Sequence, residues 1–207
     1  DKKPVENLNV RLALISNSAS KNLPENIRTA LRLAIADTQT EFNTTTDKNG
    51  VYSFENVSYG RYSLSANNGN TGVLRAVEVS ENETTLSTES LKPFGTVTGK
   101  VVAEDGKSSI YGAMVSVAES ELRAFTNNEG VFTLKYIPVG TEYQLTASLN
   151  GYEQITSEDG SAIKFTIPAT GTLTLELENP IVIKPIQSEN YSVKASVTGI
   201  GNVELPI

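Results

Sequence analysis

The acidic residues Glu104, Asp105, Glu119 and Glu121 come in two closely spaced sets, the arrangement from which a general acid and a general base are built. Each set lies in a polar run that reads as a turn, where carboxylates are solvated rather than tuned for proton transfer. The run DKNG at 47–50 has the look of a calcium loop, whose ligands sit at fixed offsets from a glycine. With Gly50 at the loop's glycine position, Thr45 and Asn56 fall where anchoring Asp and Glu are needed; around Gly130 those places hold Phe125 and Tyr136. Both read as tight turns, not ion sites. The chain has no His and no Cys, which removes Ser–His–Asp and Cys–His nucleophiles, imidazole and thiolate metal sites, and disulfides. It has no Walker loop and no dinucleotide glycine fingerprint. No catalytic residue, metal ligand or cofactor is therefore expected, and no enzymatic activity. Tyr59, Tyr111, Tyr152 and Tyr191 remain as candidate ligand contacts, since rings in or near turns can stack on a sugar or a protein partner. A tyrosine also suits loops simply by having an apolar body and a wet tip, and the absence of Trp argues against a sugar platform.

The elements that would hold such residues follow from a repeat. DKNGVYSFENVSYGRYSL at 47–64 returns as NNEGVFTLKYIPVGTEYQL at 127–145. Gly50 matches Gly130 and Gly60 matches Gly140, and Tyr62 matches Tyr143 after one inserted residue. A repeat of this size is a small domain rather than a solenoid turn. The 207 residues therefore divide into a first unit at 1–92, a second at 93–178 and a tail at 179–207.

Composition narrows the partners. With 38% hydrophobic and 20% charged residues the chain is globular in character, and its net charge of −7 opposes nucleic acid and anionic membrane surfaces. No apolar run approaches the roughly 20 residues that cross a membrane as a helix. The start at Asp1 without Met is expected from a processed or trimmed N-terminus.

Short alternating runs punctuated by Gly, Pro, Asn and Asp mark strands. In the first unit these are NVRLALI, residues 30–36, EFNTTT, VYSF, RYSLSA and VLRAVEV, closed by TTLSTESL. Residues 27–35 also carry helical spacing, so a helical turn before that strand stays open. KPFG at 92–95 reads as a hinge. The second unit supplies TVTGKVVA, MVSVA, LRAFT, VFTLKYI, YQLTASL, AIKFTI and TLTLELE. The tail, with runs such as IVIKPI and SVKASV, either packs on the second unit or begins a third. Tyr52, Phe54, Tyr62, Leu64, Phe132, Leu134, Tyr143 and Leu145 share the core-facing parity.

The second unit, with Val97-x-Gly99-x-Val101, Gly112-Ala113-x-Val115-x-Val117 and Asn127-x-x-Gly130-x-Phe132-x-Leu134-x-x-Ile137-Pro138-x-Gly140, resembles the carboxypeptidase regulatory-like domain. The first unit keeps the central turn and hairpin of that pattern, with Leu12 standing where the opening glycine would be. The resemblance implies an all-β fold: two tandem seven-stranded Greek-key β-sandwiches of prealbumin (transthyretin) type plus a β-rich C-terminal tail. It further implies a non-catalytic spacer or stabiliser on an exported bacterial protein, at the cell surface or in the periplasm. A lipid anchor on a Cys before residue 1 would suit that role. The alternative is a binding module for glycans or a surface protein, through loop ends or a sheet edge. In related B-type repeats of Gram-positive adhesins a Lys–Asn isopeptide bond forms beside a Glu. Lys100 stands in the lysine's place, but Ala147 and Ala66 hold the acid's position, so the crosslink does not carry over.

Overall fold

The computed structural model describes residues 3–16, 40–154 and 163–186. Among these there is no helix. The strands are β1 (Asn9–Ser16), β2 (Glu41–Thr45), β3 (Gly60–Asn67), β4 (Thr71–Val79), β5 (Lys92–Ala103), β6 (Met114–Val117), β7 (Arg123–Phe125), β8 (Val131–Pro138), β9 (Glu142–Ser148), β10 (Tyr152–Gln154), β11 (Ile163–Thr166), β12 (Thr174–Glu176) and β13 (Ile181–Pro185). They form one sheet in the order β10-β13-β5-β4-β3-β1-β2, with β8 and β12 also on β5, and a second sheet in the order β11-β9-β6-β7. Strand 9 shows why these residues make strands: its side chains alternate between exposed and buried along its whole length, the period a half-covered sheet requires.

Two apolar cores result. One gathers Val10, Leu12, Phe42, Tyr62, Leu64, Ala66 and Val77. The other lies between β5 with its neighbours and the four-stranded sheet, and includes Val97, Val115, Phe132, Leu134, Ile137 and Leu145. The repeat is visible atom by atom. Asp47 Oδ1 accepts the amides of Asn49 and Val51, as Asn127 Oδ1 accepts those of Glu129 and Val131. Gly50 and Gly130 have φ of 74° and 73°. Buried Thr46 accepts from Leu8 N and donates to Val5 O, while buried Thr126 accepts from Ala113 N and donates to Ile110 O.

These hydrogen bonds correct the placement of the first strand. Leu8 does what Ala113 does, and Asn7 donates to Thr46 O as Gly112 donates to Thr126 O. In the sheets, Leu12 faces Leu64 as Val117 faces Leu145. So β1 is the counterpart of β6, not of the opening strand β5. The expected strand VYSF is absent too: residues 51–59 carry no strand, since no described strand lies beside them as β5 lies beside β8. The closing run TTLSTESL likewise has no strand. Residues 30–36 lie outside the described residues, as does the tail beyond 186. The tail's first run is β13, which pairs parallel with β5 and buries Ile181 and Ile183 in the second core.

KPFG, expected as a hinge, lies within a strand. Lys92 and Pro93 pair with Gly72 and Thr71 of β4, and the same strand continues without a break to Ala103 in the second core. Proline is tolerated there because it sits at the strand's start, where its missing N–H interrupts no long ladder.

Candidate functional site

Where the two cores meet, β4 and β5 approach closely. A Cβ on Gly72 would lie 2.5 Å from the Phe94 ring and 2.7 Å from the Ala66 carbonyl oxygen, so only glycine fits. Lys92 Nζ donates to Thr141 Oγ1 at 2.6 Å, tying the start of β5 to the β8–β9 turn. Leu74 of β4 packs against the second core. Two ion pairs complete the junction: Arg11 with Glu121, and Arg61 with Glu119. Arg11 also holds Glu41 through its Nε at 2.7 Å. The guanidinium hydrogen bond from Arg11, aided by Asn43, pulls the Glu41 carboxyl down to about 2.

A cavity of about 320 Å³ opens at this junction, lined in part by Leu74, Arg75, Val117, Ser120, Tyr143 and Gln144. Arg75, one of the lining residues, is paired with Glu89 at 2.7 Å. The Tyr143 hydroxyl is buried and makes no hydrogen bond of ordinary geometry among the described residues. Burial pushes that phenol up to about 12, and the adjacent Thr141 hydroxyl, already engaged by Lys92, offsets little of this. Its counterpart Tyr62 differs: its hydroxyl donates to Ser58 O at 2.8 Å. The segment from Gly140 to Tyr143 is one residue longer than that from Gly60 to Tyr62.

Chemically, the junction positions and neutralises charge. Glu119 and Glu121, read from sequence as a solvated acidic turn, are committed to arginines of the other core. Arg11 and Arg61 carry no local signal for this role, because each partner lies far along the chain. Asp105 caps its own turn, accepting from Ser108 and Lys107; these bonds, Ser108 first, lower its carboxyl pKa. Lys100 is exposed on β5.

Of the candidate tyrosines, the three described ones, Tyr59, Tyr111 and Tyr152, are not among the cavity's lining residues. Tyr59 is exposed before β3 and donates to Asn82 Oδ1 at 3.1 Å, and Tyr111 is exposed before β6. Tyr152 is half-buried on β10 against the second core. No ring contact joins these three to one another among the described residues. Tyr191 lies outside the described residues.

Residues 97–179, most of the second core, match the model of the CarboxypepD_reg-like domain. Over 159 residues the chain is 26% identical to the chitinase ChiA of Flavobacterium johnsoniae, covering 74% of this chain and 9% of that protein. The chain thus spans only a small part of the curated relative's length. Among solved structures, GBS52, the minor pilin of Streptococcus agalactiae, is similar over 93% of this chain and 88% of that one, at 17% identity and a TM-score of 0.35. A streptococcal ancillary pilin is similar over 89% and 59%, at 18% identity and a TM-score of 0.37. The shaft pilin SpaA of Lactobacillus rhamnosus GG is similar over 90% of each chain, at 10% identity and a TM-score of 0.33.

Proposed function

We propose that this chain is a non-catalytic structural segment of an extracytoplasmic bacterial protein, made of two β-sandwich units that hold neighbouring parts at a fixed separation. The observation that carries this reading is the shared strand: β5 begins in register with β4 of the first core and ends inside the second. A strand hydrogen-bonded at both ends transmits orientation in a way that a free linker of the same length does not. The match of residues 97–179 to a regulatory-like domain, and the small share of the chitinase that aligns, support an accessory role within a larger protein. The resemblance of the repeat supports export to the surface or periplasm. Small-angle scattering tests the spacer role. One fixed arrangement of the two units should reproduce the curve, and a curve that requires a broad ensemble of arrangements overturns it. Specific retention on a glycan array would instead make the chain a binding module.

A further inference from the structure

Asn–Gly steps occur in the chain at 49–50, 68–69 and 150–151. Such a step is chemically labile, because glycine has no side chain to keep its backbone nitrogen from the preceding carboxamide. The reaction sets two conditions. The glycine N–H must be able to give its proton to base, and the asparagine side chain must be able to swing back onto that nitrogen. A hydrogen bond that holds either group opposes it.

Two of the steps are held. Gly50 N donates to Asp47 O at 2.9 Å, in the turn that Asp47 Oδ1 caps, and a Cβ on Gly50 would meet Pro4 and Val5 at 3.4 Å. Gly69 N donates to Asn67 Oδ1 at 3.2 Å. Asn68 Oδ1 accepts from Asn70 N, Thr71 N and Thr71 Oγ1 at 3.2, 2.9 and 3.1 Å, which ties that carboxamide to the residues beyond the glycine. The third step is free. Asn150 and Gly151 are exposed, and nothing lies within 4 Å of a Cβ on Gly151. Neither the Asn150 side chain nor the Gly151 amide has a hydrogen-bond partner among the described residues. Gly151 has φ of 80°, and a single backbone bond, Tyr152 N to Leu149 O at 3.0 Å, closes the turn. Opening a surface turn held by one such bond is a low-energy fluctuation.

We propose that Asn150 is a site of spontaneous covalent modification in the folded chain, and that the change loosens β13 from β10. Gly151 N, its proton taken by base, attacks Asn150 Cγ; the Cγ–Nδ2 bond breaks, and Nδ2 leaves as ammonia with a proton from water. Water then opens the five-membered imide at one of its two carbonyls. One opening gives aspartate, and the other gives isoaspartate, in which the main chain runs through the side-chain carbon. The isoaspartyl product lengthens the main chain by one carbon in the turn from β9 to β10. Gly151 O accepts from Ile186 N at 2.8 Å, and β10 pairs with β13 only over Tyr152–Gln154 against Ile183–Pro185. So short a ladder does not absorb a displaced end, while the pairing of β13 with β5 lies on the strand's other side and persists.

Incubation of the full chain at mildly alkaline pH tests this, read by peptide mapping with mass spectrometry and by hydroxylamine, which cleaves the chain at the imide. In the folded chain Asn150 should convert at least about tenfold faster than Asn49 or Asn68, and in urea the three rates should converge. Hydrogen exchange of the β10 amides should quicken in the isoaspartyl material but not in freshly prepared Asn150→Asp, which adds the charge without the extra carbon. Equal conversion at the three sites in the folded chain would overturn the proposal. So would an Asn150 that stays intact in the folded chain under conditions that convert it in urea. Unchanged exchange at β10 in the isoaspartyl material would overturn the coupling to β13.

Discussion

Tyr62 and Tyr143 occupy the same position of the repeat but should respond to the same substitution with opposite signs. Both rings are deep in their cores, at 0% and 9% exposure. The Tyr62 hydroxyl donates to Ser58 O at 2.8 Å, and deleting it in Tyr62→Phe removes that bond, a loss of about 0.5–1.5 kcal/mol. The Tyr143 hydroxyl makes no hydrogen bond of ordinary geometry among the described residues, its neighbour Thr141 being engaged by Lys92, and a buried polar group left unpaired costs about 1–3 kcal/mol. Tyr143→Phe should therefore stabilise the fold by on the order of 1 kcal/mol. In a chain of this size each kcal/mol moves Tm by roughly 2–4 °C. Differential scanning calorimetry should show Tm falling by a few degrees in the first variant and rising by a few in the second, and urea titrations should agree with unchanged m-values. If both variants lose stability, the Tyr143 hydroxyl has a partner that stabilises the fold and the reasoning fails.

The same phenol gives a pH prediction. Its folded pKa of about 12 exceeds the ordinary 10, so its contribution is whole below pH 10 and is lost as pH rises towards 12, because the unfolded chain ionises first. Alkaline melting curves should thus show a smaller drop for Tyr143→Phe than for the parent, and identical slopes would refute the shift. Gly72→Ala forces a methyl against the Phe94 ring and the Ala66 carbonyl, an overpacking expected to cost about 1–3 kcal/mol and readable as a lowered urea midpoint. Phe132→Ala should cost about 3–5 kcal/mol, and Phe54→Ala, at a half-buried site, clearly less; equal losses in chemical denaturation would mean that the first core is as closed as the second.

The sequence made much of this visible. The Gly50 and Gly130 turns, the Tyr-x-Leu strands and the all-β class follow from spacing that one or two residue types dictate, and the structure reproduces them. The counterpart of β6 was harder to find. It is signalled by Asn7 in the left-handed region at φ 57°, matching Gly112 at 74°, and by Thr46 matching Thr126. Single polar residues of this kind are lost beside the more conspicuous alternation of NVRLALI. Asn56 and Tyr136 show the limit from the other side. Both take positive φ at the same repeat position, the latter at the bulge where β8 shifts register on β5. Asn is a natural choice for that conformation, while a bulky Tyr is not and gives no warning. The junction was the least legible feature. Arg11 and Glu121 meet only through the tertiary fold, and a proline-containing KPFG reads as a break until its register with Thr71 and Gly72 is known.

The central claim is that β5 fixes the two cores relative to each other. Because the chain has no native Cys, two introduced cysteines can be spin-labelled without background, one at exposed Glu55 in the first unit and one at exposed Glu129 in the second. Pulsed dipolar spectroscopy between them should give a single narrow distance distribution, unchanged by salt that screens the arginine–glutamate pairs. A broad or two-peaked distribution would show that the cores turn about residues 92–95 and would contradict the account.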